Sequence, residues 1–484
     1  MLKKSIKSQL SRYPALYDKA AHVNGVVRGM QREVRTLRLI GPRLLLSRLF
    51  PKRDLWRSAL PVQQAQNFVL TTPKPLSDID TIKEYMGMSD EVPEGWDSFY
   101  ISPEKWQASP IAWLQSRYPA GCGLKIGKNK GGVESSYVTM HPGRKFQSHL
   151  GATHSQQQLM FNFLYAQGVG PRLYDLIELD DEHGNSWAAY VLEHIEGTAA
   201  PVEVCRATVA KLRALQDAGT IFLNSASGWE GVDFREPDCH GNLLYSAEQE
   251  RAVYVDVGNF NFDQYDRYLT NLAKEVASAS HFGETSVIAG AMGRYLYQEI
   301  PGVQMPAKRS PTTRMKTYDA LCAQVGLSLE GKTVLDIGCN LGLMGAEYLR
   351  RGASWYHGFD FPKVTPATQR VLLAIGCTRF SLSSVELSPT IQLADLLPAH
   401  IQSVEAKDMV ISYLAIRGHV GWLPALKQLR WKYMLYEGHQ TDEQMAGYME
   451  DLNRLLSARV VATGTVADAN STPRFSAIIE RLDV

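Results

Sequence analysis

The chain has 484 residues, 45% of them apolar and 21% charged, with a net charge of +1; this is an ordinary globular make-up with room for two to four domains. Six scattered cysteines with no CxxC pair or His/Cys cluster argue against a disulfide scaffold or a zinc site. No run of about 18 uncharged apolar residues is present to span a membrane, and no secretory signal opens the chain, so a cytoplasmic location is expected.

The near-neutral total hides an asymmetry. Residues 1–53 carry thirteen Lys or Arg against only Asp18 and Glu33, which leaves the remainder net acidic. The spacing over 1–58 predicts a basic, amphipathic helical arm. Val27, Met30, Val34 and Leu37 share one helical face and Arg28, Arg32 and Arg35 the other; Gly41-Pro42 breaks the run before Arg43–Phe50. Such a segment suits an anionic membrane surface, where apolar burial and basic charge act together. The expected partner of residues 1–53 is therefore the inner membrane face, bound peripherally. Nucleic acid is disfavoured because no aromatic stacking platform accompanies the basic run. Residues 59–118 form a connecting region interrupted by Pro61, Pro73, Pro75, Pro93, Pro103 and Pro110.

Residues 119–298 read as an α/β unit. Leu124–Met140 suggests two strands joined by a glycine-containing turn, Ser155–Ala166 a helix, and Tyr190–Gly197 a strand running into a polar hinge. Asp238-Cys-His-Gly-Asn242 follows, then Ala252–Gly258, a buried strand ending in Asp256-Val-Gly. Asn242 and Asp256 can converge on a Mg²⁺ that bridges nucleotide phosphates, with a carboxylate near the acceptor hydroxyl. The ordered set resembles the protein-kinase-like fold, nearest its small-molecule and sugar-kinase branch. That resemblance implies a bilobal α+β domain using ATP and Mg²⁺, with Asp238 catalytic and Asn242 and Asp256 holding the metal. The chain departs from the family pattern in three places. Asp238 lies four residues before Asn242 instead of five. No lysine clearly matches the third-strand position, for which Lys125, Lys128 and Lys145 are candidates. Gln156-Gln-Gln158 stands where a partner glutamate is expected. An active phosphotransferase and a nucleotide-binding pseudokinase both stay open.

Pro301–Pro311, with three prolines in eleven residues, reads as a linker over 299–315. The last region, 316–484, carries the clearest signal. Lys332–Ile337 is a short apolar strand entering the turn Gly338-Cys-Asn-Leu-Gly342, and Leu343–Arg351 has helical period. Ser354–Phe361 is a second strand whose end bears Asp360, where doubly wound α/β folds bind a ribose diol. The turn lacks the G-x-G-x-x-G of dinucleotide sites. The pattern strongly resembles class I S-adenosylmethionine-dependent methyltransferases over about 150 residues, which implies a Rossmann-like doubly wound sheet. Carried over, Asp336, Gly338, Asn340 and Gly342 line the methionine side, Asp360 takes the ribose, and Ser383 or Ser384 lies near the adenine. The fourth strand, Asp408–Leu414, meets the acceptor. His419, Glu437 and His439 follow the fourth and fifth strands as candidate bases, with His419 the preferred one. In domain content, although in the reverse order, the chain resembles bifunctional kinase–methyltransferases that cap bacterial O-antigen. That resemblance implies a glycan or lipid-linked sugar acceptor; the rival expectation is a methyltransferase carrying a pseudokinase.

Overall fold

The computed structural model describes residues 98–107, 117–128, 154–180, 186–197, 201–217, 221–223, 243–247, 249–255, 257, 260–262, 265–279, 282–288, 291–386, 388, 390–416, 423–438, 442–466 and 473–484. The basic arm, most of the connecting region, and Lys145, Asp238, Asn242, Asp256, His419 and His439 lie outside them. The described residues fall into two compact units, a smaller one between 195 and 262 and a larger one holding the rest.

The larger unit begins with an antiparallel sheet of β1 (Ser98–Ile101), β2 (Cys122–Lys128), β3 (Leu173–Asp180) and β4 (Ser186–Glu193), ordered β1-β2-β4-β3. Cys122, Leu124 and Ile126 of β2 bury their side chains on one face, the two-residue period of a strand with one side against a core. Of the two strands expected over 124–140, the described residues hold the first, as β2, and 129–140 lie outside them. β2 pairs with β1 and β4, and Lys125 registers with Tyr100 on one side and Tyr190 on the other. These partners are distant in sequence, so a local turn signal could not reveal them. Two helices accompany the sheet, α1 (Pro103–Gln107) and α2 (His154–Ala166).

The smaller unit contains α3 (Val202–Asp217), the strand pair β5 (Ile221–Leu223) and β8 (Phe260–Phe262), and the hairpin β6 (Leu243–Ser246)–β7 (Arg251–Tyr254). Thr208 of α3 donates to the carbonyl of Ala252, 3.0 Å away, tying the helix to the hairpin.

The chain then returns to the larger unit through α4 (Tyr265–Ser278) and a three-stranded sheet of β9 (Gly283–Ile288), β10 (Ala291–Gln298) and β11 (Ala307–Arg309). The expected linker at 299–315 is in fact structured. β11 pairs with β10, and α5 (Pro311–Val325) starts on Ser310, whose hydroxyl accepts from Thr313 N–H, with Pro311 at the first helical position. Proline there costs nothing, since that N–H has no helical partner anyway; its presence marks a helix start as readily as a linker. Gly326 ends the helix at φ +67°, a C-terminal geometry open to glycine.

The last sheet has the order β14-β13-β12-β15-β16-β18-β17, with β12 (Thr333–Ile337), β13 (Trp355–Asp360), β14 (Phe380–Ser384), β15 (Met409–Leu414), β16 (Tyr433–Glu437), β17 (Ala458–Val466) and β18 (Arg474–Arg481). The first five in that order are parallel; β18 runs antiparallel to them, and β17 antiparallel to β18. Helices α6 (Leu343–Arg350), α7 (Thr365–Ala374), α8 (Ala399–Gln402), α9 (Leu423–Lys427) and α10 (Asp442–Leu456) connect them. β12 is buried at every residue, as parallel strands covered on both faces are. Because the order reverses between β12 and β15, their carboxyl ends form the crevice where such sheets take ligands.

The two sheets share one core. Trp106, Leu124, Ile126 and Val191 belong to the same buried cluster as Trp355, Phe359 and Val385, and the Tyr118 ring meets Trp355 edge-on at 6.3 Å. The compact units thus divide the chain elsewhere than at 119–298 and 316–484. No helix among the described residues is long and apolar enough to cross a membrane.

Candidate cofactor site

β12 ends in a loop that enters the left-handed region three times, at Gly338 (φ +72°), Asn340 (φ +52°) and Gly342 (φ +71°). At Gly342 a side chain is excluded twice over, since an added Cβ would also lie 2.8 Å from a methyl of Leu372. At Gly338 the nearest atom to such a Cβ is Ile416 at 3.4 Å, so the backbone conformation alone calls for glycine. Gly338 and Cys339 donate their N–H groups to Phe359 O at 2.9 and 3.1 Å, which draws the loop onto the end of β13.

Asp360 completes that junction. Its Oδ2 accepts from Asn340 N–H and its Oδ1 from Phe361 N–H, both at 2.7 Å. The two groups expected to share a cleft, the glycine loop and the second-strand carboxylate, are therefore hydrogen-bonded to each other. From α7, Thr368 donates its hydroxyl to Asn340 O. Ser383 donates to Leu396 O at 2.8 Å, and Ser384 meets Thr365 of α7 at 2.5 Å; β14 sets Ser384 beside Asp360 in register.

Asp336 lies beneath the loop and is 3% exposed. Its oxygens accept from Ser412 on β15 at 2.6 Å and from Tyr356 on β13 at 3.0 Å. Tyr348 of α6 hydrogen-bonds Ser412 at 2.8 Å. Burial pushes the Asp336 carboxyl up to about 6, with both hydrogen bonds opposing that rise and the nearby Asp360 adding to it. Asp336 therefore braces β12 against β13 and β15.

Glu437, at the end of β16, is not available as a base. It is 1% exposed and accepts from Arg314 at 2.9 Å and Arg474 at 3.2 Å, with Arg309 at 3.7 Å. The candidate base His419 and the upstream set Asp238, Asn242 and Asp256 lie outside the described residues. Among the described residues, no group of three or more His, Cys, Asp or Glu could hold a metal.

Sequence reasoning missed Phe361, Thr368, Tyr356 and Ser412. Phe361 directly follows Asp360 and is 39% exposed, an unusual position for a large apolar side chain beside a carboxylate. Ser412 stands opposite Asp336 in the β12–β15 register, which the sequence carries only once the strand pairing is known.

No family model matches the chain. It is similar to the ribosomal protein L11 methyltransferase of Haemophilus ducreyi (strain 35000HP), 32% identical over 127 residues, which is 25% of this chain and 41% of that protein. It is also similar to the same-named protein of Enterobacter sp. (strain 638), 32% identical over 124 residues, 24% of this chain and 40% of the relative. The chain thus spans about two fifths of the length of these curated relatives. Among solved structures it is similar to a ribosomal protein L11 methylase from Lactobacillus delbrueckii subsp. bulgaricus, with 15% identity over 34% of this chain and 78% of that one and a TM-score of 0.25. A second is the magnesium protoporphyrin IX methyltransferase of Synechocystis PCC 6803 with bound SAH, with 14% identity over 36% of this chain and 84% of that one and a TM-score of 0.26.

Proposed function

We propose that the C-terminal sheet is the catalytic core of an S-adenosylmethionine-dependent methyltransferase. The observation that carries the reading is the hydrogen bond between Asn340 N–H and Asp360, which joins a left-handed glycine loop to a carboxylate at the next strand end. A half-buried carboxylate at a strand end is an acceptor of the kind a ribose diol donates to. Gly338 and Gly342 allow close backbone approach, and exposed Phe361 offers an apolar face to a base. The negative charge of Asp336 under the loop favours a cationic ligand. These residues fit the cofactor, which when bound supplies an electrophilic methyl group on a sulfonium. The work of the chain is to hold that group in line with an acceptor at the ends of β15 and β16, where orientation lowers the barrier.

The acceptor has two readings. The upstream motif set beside a methyltransferase core supports a glycan or lipid-linked sugar, phosphorylated in an ATP- and Mg²⁺-dependent step through Asp238, Asn242 and Asp256. The names of the curated relatives support a protein acceptor, with the upstream part then a pseudokinase that binds or regulates. Both readings rest on the methyl-transfer core.

Equilibrium binding of labelled cofactor to the full-length protein tests that core. Wild type should bind, and Asp360→Ala should weaken binding by roughly ten- to a hundredfold, the range expected for charge-assisted hydrogen bonds. Failure of wild type to bind would remove the proposal. Incubation with ATP, Mg²⁺ and glycan or protein acceptors separates the two acceptor readings. A phosphoryl gain that Asp256→Ala abolishes supports the glycan route; methylation of protein without any such gain supports the other.

A further inference from the structure

We propose that Asn162 and Gln158, on the upstream helix α2, are positioning residues for the cofactor loop and act through α7. The inference rests on the cofactor reading above. α2 presents amide side chains to the end of α7, 211 to 218 residues further along the chain. Asn162 donates to Leu373 O at 3.1 Å and to Cys377 O at 3.0 Å, and Gln158 to Gly376 O at 2.8 Å. Leu373 O also accepts from Gly376 N–H at 3.1 Å, whereas Gly376 and Cys377 follow the helix end, where carbonyls fall outside the helical ladder and need other donors. Both amides are fully buried, or nearly so, at 0% exposure, so solvent cannot replace them.

α7 also touches the cofactor loop in two places and the end of β14 in a third. Thr368 donates to Asn340 O, Thr365 meets Ser384, and Leu372 lies against Gly342 at the distance where a Cβ would not fit. α7 therefore runs from the upstream helix to the loop backbone and to the end of β14. Around the amide contacts, Arg172 donates to Thr378 O at 3.0 Å, and Arg379 pairs with Asp175 at 3.4 Å. An apolar face on α2 would tolerate sliding, because hydrophobic contact is non-directional. Directed amide–carbonyl bonds fix one axial position of α7, and with it the Asn340 carbonyl and the N–H that Asp360 holds. By thermodynamic reciprocity, a cofactor that favours this position must also stiffen α2.

The test uses the full-length chain and labelled S-adenosylmethionine. Asn162→Ala and Thr368→Val should each weaken binding about tenfold, which is about 1.4 kcal/mol, at unchanged binding stoichiometry. A merely structural role would instead lower the number of competent sites and leave Kd alone. The double variant should bind no more weakly than Thr368→Val, since both residues act through one helix. An unchanged Kd in Asn162→Ala, or effects that multiply in the double variant, would overturn the inference while leaving wild-type binding, and so the cofactor reading, intact. Absence of wild-type binding would end both. Should Asn162→Ala fail to fold, hydrogen exchange in wild type decides: the amides of α2 should exchange several-fold more slowly with cofactor, and equal rates would overturn the proposal.

Discussion

A carboxylate sealed inside a parallel sheet must be hydrogen-bonded or neutral, and Asp336 stands between these conditions, held by Ser412 and Tyr356 yet pushed up to about 6 by burial. Below the ordinary carboxylate pKa of about 4, folded and unfolded chains both hold the proton. Between there and about 6 only the folded chain keeps it, so the stability that Asp336 contributes in acid is lost as pH rises through about 6. Asp336→Asn should therefore match wild type near pH 4 and exceed it at pH 7 by up to roughly 3 kcal/mol in denaturant unfolding. Equal stability at both pH values would show that the group titrates normally. Glu437 is held by ion pairs. Three arginines grip its side chain, so it ties β11, α5 and β18 to β16.

At the level of elements, β13 carries a second buried titratable group. His357 is 0% exposed and its Nδ1 lies 2.7 Å from the Ser381 hydroxyl on β14. Burial, helped by the nearby His400, holds it down to about 3. The unfolded chain takes up this proton near pH 6.5 and the folded chain does so only near 3, so stability falls as pH drops across that window, by roughly 1.4 kcal/mol per unit. Asp336 and His357 oppose one another between about pH 4 and 6, and wild type owes little slope there to the pair. His357→Phe keeps a ring and removes the titration. Its unfolding free energy should decline as pH rises through this range, while that of Asp336→Asn should climb. Parallel profiles for the two variants would contradict the assignment.

For the whole molecule, the shared core makes the upstream sheet part of the methyltransferase-like body. Trp355, Phe359 and Val385 lie in one buried cluster with Trp106, Leu124, Ile126 and Val191, and removing the upstream strands would expose a large apolar patch, a liability for aggregation. A fragment starting at residue 299 should therefore be insoluble, or unfold several degrees below the full chain and bind cofactor more weakly. A soluble fragment with full-length affinity would show that the sheet of β1–β4 is dispensable. That outcome would also bear on α2, which the fragment lacks.

Much of the C-terminal sheet was legible because its signals are local. Val334, Leu335 and Ile337 are a buried run, Gly338 and Gly342 mark a left-handed turn, and Asp360 closes the next strand; each follows from backbone sterics or burial within a few residues. The structure puts these groups in one junction. What stayed hidden depends on contacts between residues far apart in sequence. Lys125 entered a central strand because β1 and β4 flank it, and Pro311 began a helix because Ser310 caps it and the core receives it. The glutamines of α2 looked like substitutes for a missing acid, whereas Gln158 reaches a carbonyl of Gly376. Sequence by itself determined where the chain turns and which strands are buried, since sterics and hydrophobicity act residue by residue. Only the tertiary structure decided what each buried polar group faces, because a hydrogen-bond partner is chosen by the packing of elements hundreds of residues apart.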